Sequence, residues 1–183
     1  MNLFALDVDP IDAARAHCDG HLSRMALQAC RLMAGAHELV DHLTGLRDYD
    51  KPHRLAPRHR DLACARWVRE TRGNYLWAHT LAIELTIEHH RRFGRPASAA
   101  QWLECYAEPP VGLTLDELTQ FGQSISPHAP GPCPVIAYRM YYACRKWHFA
   151  KWRRGRAPPH WWRQALEEVG KREIWEARAA WPK

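Results

Sequence analysis

Between residues 22 and 36, Leu22, Met25, Ala26, Ala29, Leu32, Met33 and Ala36 recur at spacings of three and four. A helix turns once every 3.6 residues, so these side chains share one face, and no strand could gather them. A long helix with one apolar face must bury it against other elements. Two further stretches read the same way. Asn74 to Phe93 runs through Leu76, Ile83 and Ile87 and stops at Gly94, a residue suited to the left-handed turn after a helix. Val135 to Trp152 is the other.

Shorter elements fit around these. Leu3 to Val8 reads as strand or extended chain. Asp9 can cap a helix over 11–18 with Pro10 at its first position, Gly20 breaks that helix, and Asp19 can cap the next. Short helices are expected near 61–70, from Ser98 to about Tyr106, and near 160–169 and 171–180. Thr114-x-x-Glu117 has the spacing of a capping box. Prolines mark loops over 45–60 and 124–134. There is no internal repeat. The expectation is an all-α single domain over 1–183, with about six to eight helices and a short extended N-terminal segment.

The chain has 183 residues, enough for a real core, and no apolar run near the roughly 18 residues of a membrane span. The opening MNLFALDVDP has no basic region and turns acidic early, unlike a secretory signal. The 6 cysteines form no CxxC pair, which argues against a zinc ribbon or a disulfide scaffold. Free thiols in a reducing cytoplasm are expected, and no membrane partner. No metal or other cofactor is expected, because GxxxxGK[ST], GxGxxG and GxSxG are all absent.

Charge is segregated. There are 26 Lys and Arg against 20 Asp and Glu, for a net charge of +6. Bases concentrate in Lys51–Arg95 and in Arg139–Arg172, while residues 101–130 have none. The second block is interleaved with Tyr141, Tyr142, Trp147, Phe149, Trp152, Trp161 and Trp162, from a total of 9 Trp. Phosphates attract bases and unpaired nucleobases stack on rings, so this block points to nucleic acid. Arg145, Lys146, Arg153 and Arg154 are the expected phosphate contacts, and Trp152, Trp161 and Trp162 the expected stacking rings.

Three constellations could carry chemistry. Asp7, Asp9, His17, Asp19, His21 and Arg24 cluster near the N-terminus, and His17 and His21 would share a face of an unbroken helix. His21, Arg24 and Gln28 fall at 0, +3 and +7, which suggests a polar wall holding an anionic substrate. Trp67, Arg69, Arg72, Asn74, Tyr75 and Trp77 suggest a phosphate clamp beside rings, with Asn74 capping a helix. Tyr138, Tyr141 and Tyr142 form a stripe beside Arg139, and tyrosine hydroxyls favour a cleft edge. His89, His90, Arg91 and Arg92 read as an exposed helix end without chemistry.

Three segments together carry a resemblance: Met1 to Pro10, His17 to Met25, and Ala137 to Tyr142 followed by Lys151-Trp152. They resemble a family of small phage-encoded proteins. Through Asp19-x-His21-Leu22 and the late Tyr-Arg-x-Tyr-Tyr run, these in turn resemble the phage pyrimidine-dimer DNA glycosylases of the endonuclease V type. The resemblance implies an all-α domain that kinks DNA and extrudes a base, with an N-terminal amine as nucleophile and a helical Glu assisting. This chain departs from that pattern. Gln28 stands where the Glu would fall, and Asn2 disfavours removal of Met1. Gln cannot exchange a proton as a carboxylate does.

The sequence therefore points to a protein that acts on or binds DNA, single- or double-stranded, in the host cytoplasm if phage-encoded. A glycosylase-like enzyme of damaged or modified bases leads. A metal- or carboxylate-dependent nucleotide- or base-modifying enzyme using Asp7, Asp9, His17 and Asp19 is an alternative. A non-catalytic DNA-binding or counter-defence protein is the third. Whether it is an enzyme, and what its protein partners are, stay open.

Overall fold

The Asp9 carboxylate accepts from the backbone N–H groups of Ile11, at 2.7 Å, and Asp12, at 3.3 Å, so the first helix starts where the sequence places its cap. A computed structural model describes residues 3–44, 60–123 and 133–179. Seven α-helices and no strand occur among the described residues. They are α1 Pro10–Ala16, α2 Leu22–Thr44, α3 Ala63–Val68, α4 Arg72–Phe93, α5 Pro134–Lys146, α6 Trp162–Glu168 and α7 Arg172–Ala179. A 3-10 turn, Asp19–His21, joins α1 to α2, and two more, Ala100–Trp102 and Glu104–Tyr106, replace the helix expected from Ser98. Residues 45–59 and 124–132, most of the two expected loops, lie outside the described residues.

One compact domain results. α4 is its axis, with α2 and α1 packed against it and α3 leaning on both α2 and α4. The apolar face of α2 is buried as its spacing requires: Leu22, Ala26, Ala29 and Met33 are fully enclosed. Gly94 ends α4 at φ 69°, the left-handed conformation that favours glycine. α5, α6 and α7 form a second group. The extended N-terminal segment links the two groups, because Phe4 stacks on His21 and meets Tyr138 and Tyr142 edge-on.

The capping-box expectation at Thr114 and Glu117 is not met. Residues 113–123 run as irregular chain over the start of α4. Leu115 C=O accepts from Arg72 N–H at 2.7 Å, and Glu117 C=O accepts from the Thr71 hydroxyl at 2.7 Å. A helix would spend these carbonyls internally; here they satisfy the open N-terminus of α4. Gly73 permits the approach, since a Cβ there would lie 2.5 Å from the Asp116 and Glu117 carbonyl oxygens. Thr71 caps α4 by accepting from Asn74 N–H at 3.1 Å, so the expected cap at Asn74 is corrected. The Asn74 side chain instead grips the strap, accepting from Thr119 N–H and donating to Thr119 Oγ1, both at 2.8 Å.

α5 stops at Lys146, short of the expected Trp152. Beyond it the chain turns back, and Lys151 C=O accepts from Asp19 N–H at 2.8 Å.

Candidate nucleic-acid interface

The N-terminal cluster splits in the folded chain. Asp9 is the α1 cap and Asp7 is paired to Arg139 at 2.7 Å. His17 and His21 lie on different elements, because Gly20 falls in the 3-10 turn between them. They nevertheless meet the same rings, Phe4 and Tyr142. Both histidines are buried, as is Gln28, whereas Arg24 is exposed. The continuous His21–Arg24–Gln28 wall is therefore corrected. His21 precedes α2, so its position does not follow the α2 register, and Gln28 faces inward with the apolar side chains. Among the described residues no group of three or more His, Cys, Asp or Glu has metal-holding geometry.

Burial lowers His17 to about 4, opposed by its bond to the Ala13 carbonyl. Burial lowers His21 to about 3, helped by the charges of His17, Lys146 and Arg24. A histidine held neutral in the fold contributes its full stability above the unfolded value near 6.5. Below that value the unfolded chain takes up a proton that the folded chain refuses, so stability falls with pH down to the folded value. At pH 5 His17 alone should cost roughly 2 kcal/mol relative to pH 8. Urea unfolding between pH 4 and 8 checks this; in His17→Phe the slope between pH 6.5 and 5 should flatten.

Asp19 is no free acid. It is nine-tenths buried beside Arg92, whose Nη1 lies 3.1 Å from Oδ1, and Arg153 reaches it from outside. Arg92, expected at an exposed helix end, has no exposed side-chain surface. It donates to Glu88, Asp19, the His17 carbonyl and the Arg15 carbonyl. Glu88 also accepts from Arg156. Burial opposes ionisation of Glu88, but the bonds from Arg156 and Arg92 outweigh it and hold the carboxyl below its usual range. This network fastens residues 151–156 to the ends of α1 and α4.

The expected stacking rings are mostly interior. Trp162 is fully buried and Trp161 nearly so, their rings 6.0 Å apart. Trp152 is half-buried, its Nε1 donating to the Ala16 carbonyl at 3.2 Å. Tyr142 and Tyr138 are buried, donating to Cys18 Sγ and the Gly122 carbonyl. Apolar ring area won over exposure here, each hydroxyl finding an internal acceptor. Arg139 donates to the Leu6 carbonyl and Asp7 and lies 5.4 Å over the Trp161 ring. Arg69 and Arg72 do not share a helix: Arg69 follows the end of α3, and Arg72 opens α4 beside Asp116.

Of the expected basic contacts, the end of α5 keeps its cations free. Arg24 and Arg145 are exposed and Lys146 is half-buried. Lys146 Nζ lies 5.9 Å from the Tyr141 ring and 6.0 Å from the Phe149 ring. Burial lowers the Lys146 ammonium, with Cys18 opposing and Arg145 and Arg24 adding to the shift, so the three cations feel one another. None of the three is paired to a carboxylate among the described residues. Phe149 is 38% exposed, with its ring against His21. This ring was one of seven in the basic block, and burial separates it from the others. Arg154 is exposed nearby in sequence, at φ 50°.

Two open clefts of about 470 Å³ each lie elsewhere. One is bounded by Asp7, Asp12, Arg15, Arg156, His160 and Trp161. Its charges are largely spent internally: Asp7 on Arg139, Arg15 on Asp12 and Arg156 on Glu88. The other flanks α3 at Arg66, Arg69 and Glu70. Neither borders His21, Arg24 or Gln28. All 6 cysteines are free thiols, and burial raises the Cys18 thiol, which makes it a poor nucleophile. No helix among the described residues is long and apolar enough to cross a membrane. Compared with known proteins, the chain matches no family model, no curated protein and no solved structure.

Proposed function

We propose that the protein binds single-stranded DNA through the surface formed by Arg24, Arg145, Lys146, Tyr141 and Phe149. The observation that carries this reading is a set of cations without carboxylate partners beside an exposed phenyl ring. Unpaired cations attract backbone phosphates, and an exposed ring offers a stacking face to a base that is not already paired. A duplex keeps its bases stacked internally, so it can use the cations but not the ring.

Excision chemistry is not part of this proposal. Gln28 is an amide and is buried, and the polar wall that would have held a sugar is divided between core and surface. Borohydride is expected to trap no adduct on abasic DNA.

The test is anisotropy of a labelled oligo-dT across a salt series. Replacing Arg24, Arg145 and Lys146 together with Ala should lower the salt slope by about 2, the single-strand value for three phosphates. Phe149→Ala should weaken binding by roughly tenfold while leaving the slope unchanged. A triple variant with wild-type affinity and slope, folded by circular dichroism, would remove this surface from the reading.

A further inference from the structure

On the α2–α3 side, three guanidinium groups converge on one depression. Arg31 comes from α2, Arg60 from the residues before α3, and Arg69 from the end of α3. Leu32, Gly35, Leu39 and Ala65 complete the lining. The depression is small, about 10 Å³, enough to seat a single oxygen-sized atom.

Like charges held this close repel, and their surroundings offset this only in part. Glu38 pairs with Arg60, while Arg69 Nη1 donates to the Arg60 carbonyl at 2.7 Å. That bond fixes the direction of the Arg69 fork but supplies no negative charge. Asp61 lies within electrostatic reach of Arg69, with Arg66 acting against it, and Glu70 turns its carboxylate to the Thr119 hydroxyl. Arg31 is paired to no carboxylate among the described residues.

We propose that the Arg31–Arg60–Arg69 depression is a binding site for a phosphate oxyanion, one oxygen seated among the guanidiniums and the others facing solvent. Planar guanidiniums donate in forked pairs that match phosphate oxygens, and a dianion relieves the repulsion among them. The site is separate from the DNA-binding surface proposed above and does not depend on it.

Inorganic phosphate is the first probe. With the full chain, thermal unfolding is followed in phosphate and in chloride at matched ionic strength. A ligand bound only by the folded state raises the midpoint with concentration. The expected result is a phosphate-specific rise in the wild type and in the Arg145→Ala/Lys146→Ala variant. In Arg31→Ala the apparent phosphate affinity should fall about tenfold or more, the scale of a charge-assisted hydrogen bond. Arg31 has no carboxylate partner to strand, so this variant should fold; Arg69→Lys is the second, keeping the charge but losing the fork. No phosphate-specific rise in the wild type, or an equal rise in Arg31→Ala and Arg69→Lys, overturns the proposal. So does a rise lost only in the Arg145→Ala/Lys146→Ala variant. The source of the phosphate is read in that variant with 5′-phosphorylated and 5′-hydroxyl oligo-dT. Preference for the phosphorylated strand identifies a terminal phosphate, and indifference to it alongside an inorganic-phosphate effect identifies the free ion.

Discussion

Arg92→Ala is expected to lower the unfolding free energy by about 3–5 kcal/mol, the usual cost of removing one partner from a buried ion pair. The Arg92 guanidinium is fully enclosed and serves two carboxylates and two carbonyls at once. Without it Asp19 and Glu88 stay nine-tenths or more buried, with Arg156 and Arg153 compensating only from the outside. In a chain of this size the loss corresponds to a drop of roughly 10 °C in the unfolding midpoint. Arg92→Lys should recover part of it, since an ammonium keeps the charge but cannot reach four acceptors. Adding Asp19→Asn and Glu88→Gln to Arg92→Met should also recover part, because no buried charge is then stranded. Urea midpoints measure all three, and a loss below about 1 kcal/mol for Arg92→Ala would show that the network is dispensable.

Trp162→Ala should cost about 3–5 kcal/mol, as truncation of a large buried ring does. The Trp162 ring meets Tyr142, Trp152, Trp161 and Trp175 within 6.3 Å, so a cavity there opens between α5, α6 and α7. Trp162→Phe should cost far less. It keeps most of the apolar area and removes an indole N–H that has no hydrogen-bond partner among the described residues, a burden of about 1–3 kcal/mol. DNA affinity of the Phe variant should equal wild type, which separates this interior ring from Phe149. Weakened oligo-dT binding by a fully stable Trp162→Phe would place the indole in the interface after all.

Local rules were legible in the chain wherever neighbours in sequence settle the outcome. The three- and four-residue spacing in 22–36 dictates a buried helical face, Asp9-Pro10 starts α1 and Gly94 ends α4. Charge segregation likewise marked Arg145 and Lys146, which emerge as unpaired cations. Partners distant in sequence decided the rest. The Thr114-x-x-Glu117 pattern forms no helix because its carbonyls are claimed by α4, some forty residues earlier. Arg92 reads as a solvated helix end, yet Asp19 and the carbonyls of α1 draw it inside. An aromatic in a basic block looks the same whether it faces a base or a core. Trp162 and Phe149 were told apart only when packing around Tyr142 used up the surface of one and left an edge of the other in water. Periodicity reports which way a side chain leaves its own backbone. What it meets there depends on contacts whose closure entropy no local pattern records.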